Sequence, residues 1–543
     1  MSTDLLFEHF ASLATAPDGI ARLRELILQL AVQGKLGTQD VGDEPASVLL
    51  ERITKTKERS VNGGKIKREK PIEPKCELAY RLPKAWICTP LGAITSFEYG
   101  KSLPKIKRED SGKVPVFGSN GIVGYHSEAI TKGPSLIIGR KGSVGAIQIT
   151  NVPCHPIDTA YFIDNFENLD QFFLFYLLTS LKLASLDKST AIPGLNRNDA
   201  YNLLIGLPPL AEQHRIVAKV DRLMALCDEL EARQQKERAG CLKLGTASLA
   251  GLQNADSPEE FGRQWAQVCD AFDLILDCPE NVAVLRQTIL QLAVQGRLVQ
   301  QEPGDEPSTK LVEKIRKEKE RLVNDGKIKR EKSLDPLDRT TISYKIPESW
   351  SHEYLNDICE LVVDPDHNMP KAVETGVKFI SSKDLNDEGI INFSRNIKLI
   401  SEEDYSRLAK KFQPKRGDIL FARIGARIGK PCIVDSDERF MISYSCCVIR
   451  PLFVDIKYVN YFLKEASFLA IAYQKTVGVG VPDLGMKMIK QFVVPLPPLA
   501  EQHRIVAKVD ALMALCDALE SQLKERAGVQ GRLAGAVGKM VAG

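Results

Sequence analysis

The sequence predicts an α+β fold: two mixed α/β domains separated by paired long antiparallel helices, coiled-coil-like, with a pseudo-twofold internal repeat. Two observations about the chain predict the repeat. Residues 207–231 return as residues 496–520 with only two changes, and residues 23–70 return as residues 285–332 with 32 of 48 positions identical. A third observation predicts the two domains. The segments between these repeated blocks can barely be aligned. The blocks and the segments are therefore under different functional constraints.

Each copy of the first block predicts two helices. Apolar residues at helical spacing run towards Gly34 in one copy and Gly296 in the other, and glycine is typical of a helix end. Pro45 and Pro307 then follow. Proline is favoured at the first position of a helix because its missing N–H is not needed there. Each proline therefore predicts the start of a further helix.

Each copy of the second block predicts a long helix. Residues 208–209 are Pro-Pro, a stiff entry, and about 28 helical residues after them would span about 42 Å. Apolar residues then alternate at spacings of four and three, which keeps one seam facing a partner helix, as in a coiled coil. The alternative is an amphipathic helix lying on a globular domain. The seam residues are Ile216, Val220, Leu223, Cys227 and Leu230, repeated as Ile505, Val509, Leu512, Cys516 and Leu519.

The two unshared segments, residues 71–206 and 333–495, are rich in glycine, aromatic residues and short β-like runs. Each predicts a compact mixed α/β domain. Their clear common feature is the entry, where Tyr80, Pro83 and Trp86 correspond to Tyr344, Pro347 and Trp350. The predicted strands include residues 135–138, 145–149, 418–422 and 447–449, and the predicted helices lie near residues 171–183 and 459–473. The chain thus divides into residues 1–70, 71–206, 207–332, 333–495 and 496–543.

Composition indicates a soluble globular protein. Of 543 residues, 26% are charged and 44% hydrophobic, and no apolar run approaches the roughly 18 residues that a membrane span needs. The first residues carry acids and lack the order of a secretory signal, so we expect a cytoplasmic protein without a membrane partner. The twelve cysteines form no CxxC pair and predict buried thiols, with neither a disulfide framework nor a structural metal.

The motifs expected of an enzyme acting on nucleic acid are missing. The Pro-Pro pairs stand in Leu-Pro-Pro-Leu, which cannot form the adenine-binding loop of a methyltransferase. Residues 425–430 are one residue short of a P-loop and are followed by proline. Pro365–Asp366 and Pro482–Asp483 begin like a nuclease metal site, but no acid-x-Lys follows closely. We therefore expect no catalytic and no metal-binding residue.

Two glycine loops with basic side chains, one in each unshared segment, carry the binding signal. Net charge is only +3, but residues 407–430 hold eight basic residues against one acid. Glycine lets a backbone approach phosphate closely, and Arg or Lys can contact phosphate or guanine. The alternative is a pair of tight turns with solvated charges. The predicted DNA-binding residues are Lys101, Ser119, Asn120, Tyr125, Arg140 and Lys141 in the first segment, and Lys383, Arg423, Arg427 and Lys430 in the second.

The basic tails, residues 64–70 and 326–332, are identical in the two copies. They could add phosphate contacts, but a solvated helix end is the simpler interpretation. Because the tails do not differ, they cannot carry a difference in sequence preference.

These motifs together resemble the specificity subunit of type I restriction-modification systems. The resemblance rests on the repeated LPPLAEQHRIVAKVD helices, on LILQLAVQGKL with TILQLAVQGRL, and on PVFGSNGIVGYH, IIGRKGSVG and KRGDILFARIGARIGK. It implies that each unshared segment is a target-recognition domain reading one half of a bipartite site in double-stranded DNA. It also implies that the helices set the gap between the halves.

The resemblance also implies partners. Two methyltransferase subunits would dock on the repeated helical blocks, and restriction/translocase subunits would join through the complex. S-adenosylmethionine, ATP and Mg²⁺ would be bound by those partner subunits, with no cofactor and no catalysis on this chain. Two alternatives remain: a helical scaffold or adaptor that does not bind DNA, and a self-sufficient nuclease or methyltransferase with an unfamiliar site.

Overall fold

A computed structural model describes residues 10–36, 38–62, 78, 80–109, 112–186, 194–255, 257–331, 334, 344–386, 388–394, 396–425, 427–474 and 482–542. The basic tail at residues 64–70 and the predicted boundaries at residues 70–71 and 332–333 lie outside these ranges. Within them, no helix has both the length and the apolar character that crossing a bilayer requires.

The chain forms two compact units. The first comprises residues 1–237 together with residues 524–543, and the second comprises residues 238–523. Each unit contains one of the two unshared segments, which we call the first and second variable domains. Each unit also contains part of both long helices.

The helices follow the repeat. Two of them are long: α7 covers 45 residues and α16 covers 44. Both outrun the prediction of about 28 residues, because good helix formers such as Ala, Glu, Lys, Gln and Arg continue after the apolar alternation stops. The helices are α1 Phe10–Ala14, α2 Gly19–Val32, α3 Ala46–Asn62, α4 Leu91–Ile94, α5 Gln171–Ser180, α6 Arg197–Tyr201, α7 Leu210–Asn254, α8 Pro258–Asp270, α9 Phe272–Leu276, α10 Glu280–Val294, α11 Ser308–Asn324, α12 Glu402–Ala409, α13 Ile456–Lys464, α14 Ala466–Gln474, α15 Met486–Lys490 and α16 Leu499–Ala542.

The strands are short, and nine described strands lie in each variable domain. Those of the first are β1 Ile87–Pro90, β2 Glu98–Tyr99, β3 Val114–Gly118, β4 Gly121–His126, β5 Ser135–Gly139, β6 Ile147–Thr150, β7 His155–Pro156, β8 Ala160–Ile163 and β9 Leu204–Leu207. Those of the second are β10 Ser351–Tyr354, β11 Cys359–Val363, β12 Val377–Ile380, β13 Lys398–Ile400, β14 Ile419–Ala422, β15 Pro431–Ile433, β16 Phe440–Ile442, β17 Cys446–Pro451 and β18 Val493–Leu496.

The two variable domains share one sheet topology. In the first, β1 pairs with β9, a four-stranded sheet has the order β2-β8-β5-β6, and a three-stranded sheet has the order β4-β3-β7. In the second, the orders are β10-β18, β11-β17-β14-β15 and β13-β12-β16. The single parallel pairing described in each domain also corresponds, β3 with β7 and β12 with β16. The likeness therefore extends well beyond the entry motif, the one common feature that the sequence revealed.

The repeated glycines Gly34 and Gly296 end α2 and α10 in the same way. Each has φ near +70°, which favours glycine because it has no Cβ. The N–H of Lys35 donates to the carbonyl of Leu30, five residues earlier, as in a Schellman motif. The N–H of Arg297 makes the same bond to the carbonyl of Leu292. A Cβ added at either glycine would lie 2.5 Å from the Cγ atom of the entry proline, Pro83 or Pro347. Glycine thus lets each helix end pack against its variable domain.

The apolar seam of α7 is buried within the first unit. Ile216, Val220 and Cys227 are fully covered and belong to one core with residues of α2 and α5. Ala534 of α16 belongs to the same core of the first unit. The matching seam of α16 belongs to a separate core in the second unit, through Ile505, Val509 and Cys516. Each seam is therefore buried within its own unit, as in the alternative of an amphipathic helix lying on a globular domain.

The cysteines largely match the expectation of buried thiols. Cys227 and Cys516 are buried at corresponding positions, whereas Cys88 and Cys269 are exposed, contrary to that expectation. The eleven cysteines that lie in the described ranges are all free thiols.

Candidate nucleic-acid interface

In the first variable domain, the loop between β5 and β6 is fixed by its backbone. The N–H groups of Arg140 and Lys141 both donate to the carbonyl of Thr159, at 2.9 and 3.1 Å. The N–H of Leu195 donates to the carbonyl of Arg140 at 2.9 Å. Gly142 turns the loop with φ of +79°. These bonds hold the side chains of the loop at one end of the four-stranded sheet.

The turn between β3 and β4 lies against this loop. A Cβ added at Gly139 would stand 2.8 Å from the carbonyl oxygen of Ser119, and one at Gly142 would stand 3.5 Å from its Oγ. Asn120, the next residue, is exposed, as is Lys141. The structure thus brings together Ser119, Asn120, Arg140 and Lys141, four of the six residues predicted in this domain. We call them the first loop site.

Arg140 lies on aromatic side chains. The centre of its guanidinium group is 5.0 Å from the ring centroid of Tyr99 and 5.7 Å from that of Tyr161. Such cation–π contacts contribute roughly 0.5–1 kcal/mol at exposed sites. Its Nη1 also donates to the carbonyl of Asp158 at 3.0 Å. Among the described residues, no carboxylate forms an ion pair with Arg140.

The second variable domain places Arg423 at the position of Arg140. Ala422 pairs with Cys446 as Gly139 pairs with Ala160, so the residues that follow correspond. The N–H groups of Arg423 and Ile424 donate to the carbonyl of Ser445, as those of Arg140 and Lys141 donate to Thr159. Gly425, with φ of +97°, corresponds to Gly142.

The adjoining turn corresponds as well. The N–H of Ser443 donates to Ile380 as that of Ile157 donates to Phe117, so Ser382 and Lys383 occupy the positions of Ser119 and Asn120. A Cβ added at Gly425 would lie 3.9 Å from the Oγ of Ser382. Lys383 is exposed, like Asn120. Two of the residues predicted in this domain, Lys383 and Arg423, therefore stand at positions matching two predicted in the first. We call Ser382, Lys383, Arg423 and Ile424 the second loop site.

Arg423 differs from Arg140 in its surroundings. Only 4% of it is exposed. Its guanidinium donates to the carboxylate of Asp483 at 3.0 Å, forms an ion pair with Asp364 at 3.4 Å, and donates to the carbonyls of Tyr444 and Leu484. These partners occupy its donors, so the geometry favours a role in holding the loop over direct contact with DNA.

The remaining predicted residues are less closely grouped. Arg427 is exposed and donates from Nη1 to the carbonyl of Leu385, while Lys430 ends the same loop and is half-buried. Lys101 is exposed, two residues after Tyr99. Tyr125 pairs with Pro115 along the three-stranded sheet, away from the turn that holds Ser119. The DNA contacts of all ten residues stay predictions.

Tyr99 and Asp364 stand in no motif that the sequence analysis singled out. Tyr99 pairs with Tyr161, one residue beyond Ala160, and the register of β11 with β17 brings Asp364 to the same position. Asp483 belongs to the Pro-Asp pair that begins like a nuclease metal site, and in the structure it is an ion-pair partner of Arg423. In the part of the chain that the structure describes, no three His, Cys, Asp or Glu side chains form a group that could hold a metal ion.

Each variable domain is anchored to its long helix by the same buried contact. The indole N–H of Trp86 donates to Glu212 at 2.8 Å, and that of Trp350 donates to Glu501 at 3.0 Å. Both carboxylates are fully covered. The loop sites are thus attached to the repeated helices through equivalent bonds, each within its own unit.

Comparison with known proteins agrees with this architecture. The family model described as "Type I restriction modification DNA specificity domain" matches the chain twice, over residues 83–238 and 347–527. The specificity subunit of the type I restriction enzyme EcoAI from Escherichia coli is 30% identical, over 96% of this chain and 93% of that protein. The EcoEI specificity subunit, also from Escherichia coli, is 28% identical over the same shares of both chains.

A solved chain from a type I restriction-modification system is 19% identical, with a TM-score of 0.48 over 85% of this chain and 99% of that one. The assignment rests on the sequence matches, which cover both variable domains and most of both long helices. The chain therefore belongs to the family of type I restriction-modification DNA specificity subunits.

Proposed function

We propose that this chain directs a type I restriction-modification complex to its DNA sequence, with each variable domain reading one half of a bipartite site. The observation that supports this proposal is that the two loop sites occupy corresponding positions in two domains with the same sheet topology. The backbone bonds to Thr159 in one loop recur as the bonds to Ser445 in the other, while the side chains differ, as with Asn120 and Lys383. One scaffold with two sets of side chains suits the reading of two different half-sites.

The repeated helices suit a second role, docking two methyltransferase subunits. Two copies of one partner need two copies of one docking face. Leu226 is 41% exposed on α7, and its counterpart Leu515 is 66% exposed on α16. A repeated exposed apolar side chain supports a repeated docking face. In this proposal the same helices set the gap between the two halves of the DNA site.

Catalysis belongs to partner chains in this proposal, since the family consists of non-catalytic specificity subunits. S-adenosylmethionine would be bound by the methyltransferase subunits, and ATP and Mg²⁺ would serve the restriction/translocase subunits that join the complex. The alternative of a scaffold or adaptor without a DNA role is not favoured, because both variable domains match the DNA specificity model.

Exchange of one variable domain tests the proposal. Residues 71–206 would be replaced by the corresponding segment of a relative with a different target, and the chain would be expressed with its methyltransferase partner. Sequencing of methylated bases in the host genome should show a change in one half of the modified motif only. Exchange of residues 333–495 is the matched control and should change the other half. A change in both halves, or in neither, would contradict the model.

A further inference from the structure

We propose that one residue in each variable domain, Tyr99 at the end of β2 or Asp364 directly after β11, decides whether the neighbouring arginine contacts DNA. Arg140 contacts a guanine in the first half-site, whereas Arg423 positions its own loop and contacts no base. This inference rests on the proposed function and assigns specificity at one named position within it.

The second domain neutralises its arginine. Asp364 and Asp483 approach the guanidinium of Arg423 from two different segments, and the side chain is almost wholly buried. Removing one partner of such a buried pair is strongly destabilising, because the other charge is left without compensation. Arg423 therefore ties the end of β14 to the segments that follow β11 and precede α15.

Both carboxylates are replaced in the first domain. Tyr99 occupies the position of Asp364, and Gly194 occupies that of Asp483, since Lys141 bridges to Gly194 as Ile424 bridges to Asp483. Neither replacement carries a charge. The aromatic rings of Tyr99 and Tyr161 contact the guanidinium group without neutralising its charge.

An arginine held in this way retains its charge and has donors with which to contact the edge of a base. The guanidinium is a planar fork that can donate two bonds to O6 and N7 of guanine, and this is the commonest specific contact in the major groove. Arg140 is only half-buried and is flanked by the exposed polar residues Asn120 and Lys141. A phosphate contact would use the same donors but would add no preference for a base.

Four substitutions separate these roles in the full chain, expressed with its methyltransferase partner. Arg140→Ala removes the proposed reader. Tyr99→Asp restores a carboxylate beside Arg140, and Tyr99→Phe keeps the ring as its control. Arg423→Ala is the matched change in the second domain. Genomic methylation would be sequenced for each variant, and thermal unfolding would be measured on the purified complex.

Arg140→Ala should relax one position in the first half of the motif, lowering preference for its guanine roughly 10- to 100-fold. Tyr99→Asp should reproduce the loss, and Tyr99→Phe should retain the original motif. Arg423→Ala should lower the melting temperature and weaken recognition of the second half-site as a whole, without relaxing one guanine position in it. If Arg140→Ala does not fold, Arg140→Lys keeps the charge without the fork and should relax the same position.

Three results would overturn the inference. The first is an unchanged motif at unchanged methylation with Arg140→Ala. The second is a uniform fall in methylation at an unchanged motif, which indicates a phosphate contact. The third is loss of preference at one guanine position of the second half-site with Arg423→Ala. The domain exchange described above serves as the reference: if it changes one half while Arg140→Ala does not, this inference fails and the proposed function stands.

Discussion

Two buried glutamates show how single residues attach the variable domains. Glu212 accepts bonds from Trp86, Thr38 and Gln39, whereas Glu501 accepts bonds from Trp350 and Gln301. Burial raises the pKa of Glu501 above its ordinary value, although the bonds from Gln301 and Trp350 act in the opposite direction. The folded protein therefore favours the protonated form of Glu501 more than the unfolded chain does.

This shift predicts a pH-dependent effect of Glu501→Gln. A carboxyl group whose pKa rises on folding contributes its full stability below its ordinary pKa and loses it as pH rises through the folded value. The amide carries no charge, so the variant should gain stability relative to the natural chain as pH rises from 4.5 to 7.5. Denaturant unfolding at both pH values measures the difference.

The control for this measurement is Glu501→Ala. It leaves the buried indole N–H of Trp350 without an acceptor and should cost about 1–3 kcal/mol at pH 4.5. This cost should fall as pH rises, because the alanine variant also lacks the titrating carboxyl group. A Glu501→Gln variant whose relative stability falls as pH rises would contradict the assigned direction.

At the residue scale, sequence reasoning found the loop sites but not their chemistry. Glycine and positive charge marked Arg140 and Arg423 equally well. The difference between them comes from Asp364 and Asp483, which stand about 60 residues away along the chain on either side of Arg423. Such partners are brought together by strand register, which spacing in the sequence does not reveal.

At the element scale, the ends of α2 and α10 give a direct test. Gly34→Ala places a Cβ in the left-handed region, which costs roughly 1–2 kcal/mol, and brings it within 2.5 Å of Pro83. We expect the variant to unfold at a lower temperature. Gly296→Ala should behave alike, because it meets Pro347 at the same distance.

Gly240 supplies the control. It lies within α7, and a Cβ added there meets nothing within 4 Å. Alanine is favoured over glycine in a helix by roughly 0.8–1 kcal/mol, so Gly240→Ala should raise the unfolding temperature. Equal effects at Gly34 and Gly240 in calorimetry would refute the packing role assigned to the repeated glycines.

The elements themselves were largely predictable, but the likeness of the two variable domains was not. Periodicity and proline placed α3 and α11, and β-rich runs placed β5, β14 and β17. The common topology could not be predicted from the sequence. The order of strands in a sheet depends on which backbones pair, and many side-chain patterns are compatible with the same pairing. Only the entry motif kept its side chains, because it packs against the repeated helices.

At the scale of the whole molecule, the first unit depends on both ends of the chain. Ala534 is buried in its core, and the carbonyl of Gly531 accepts a bond from Arg22 at 3.0 Å. Deletion of residues 524–543 should therefore weaken hydrogen-exchange protection in α2. The equivalent helix α10 belongs to the second unit and should keep its protection. Loss of protection in both helices, or in neither, would contradict this division.

This division also affects the order in which the parts of the protein can fold. Domains usually fold from the amino terminus as the ribosome releases them. Here the second unit is continuous in sequence, whereas the first also includes residues 524–543, which are synthesised after the second unit. A nascent chain therefore completes the sequence of the second unit before residues 524–543 are available to the core of the first.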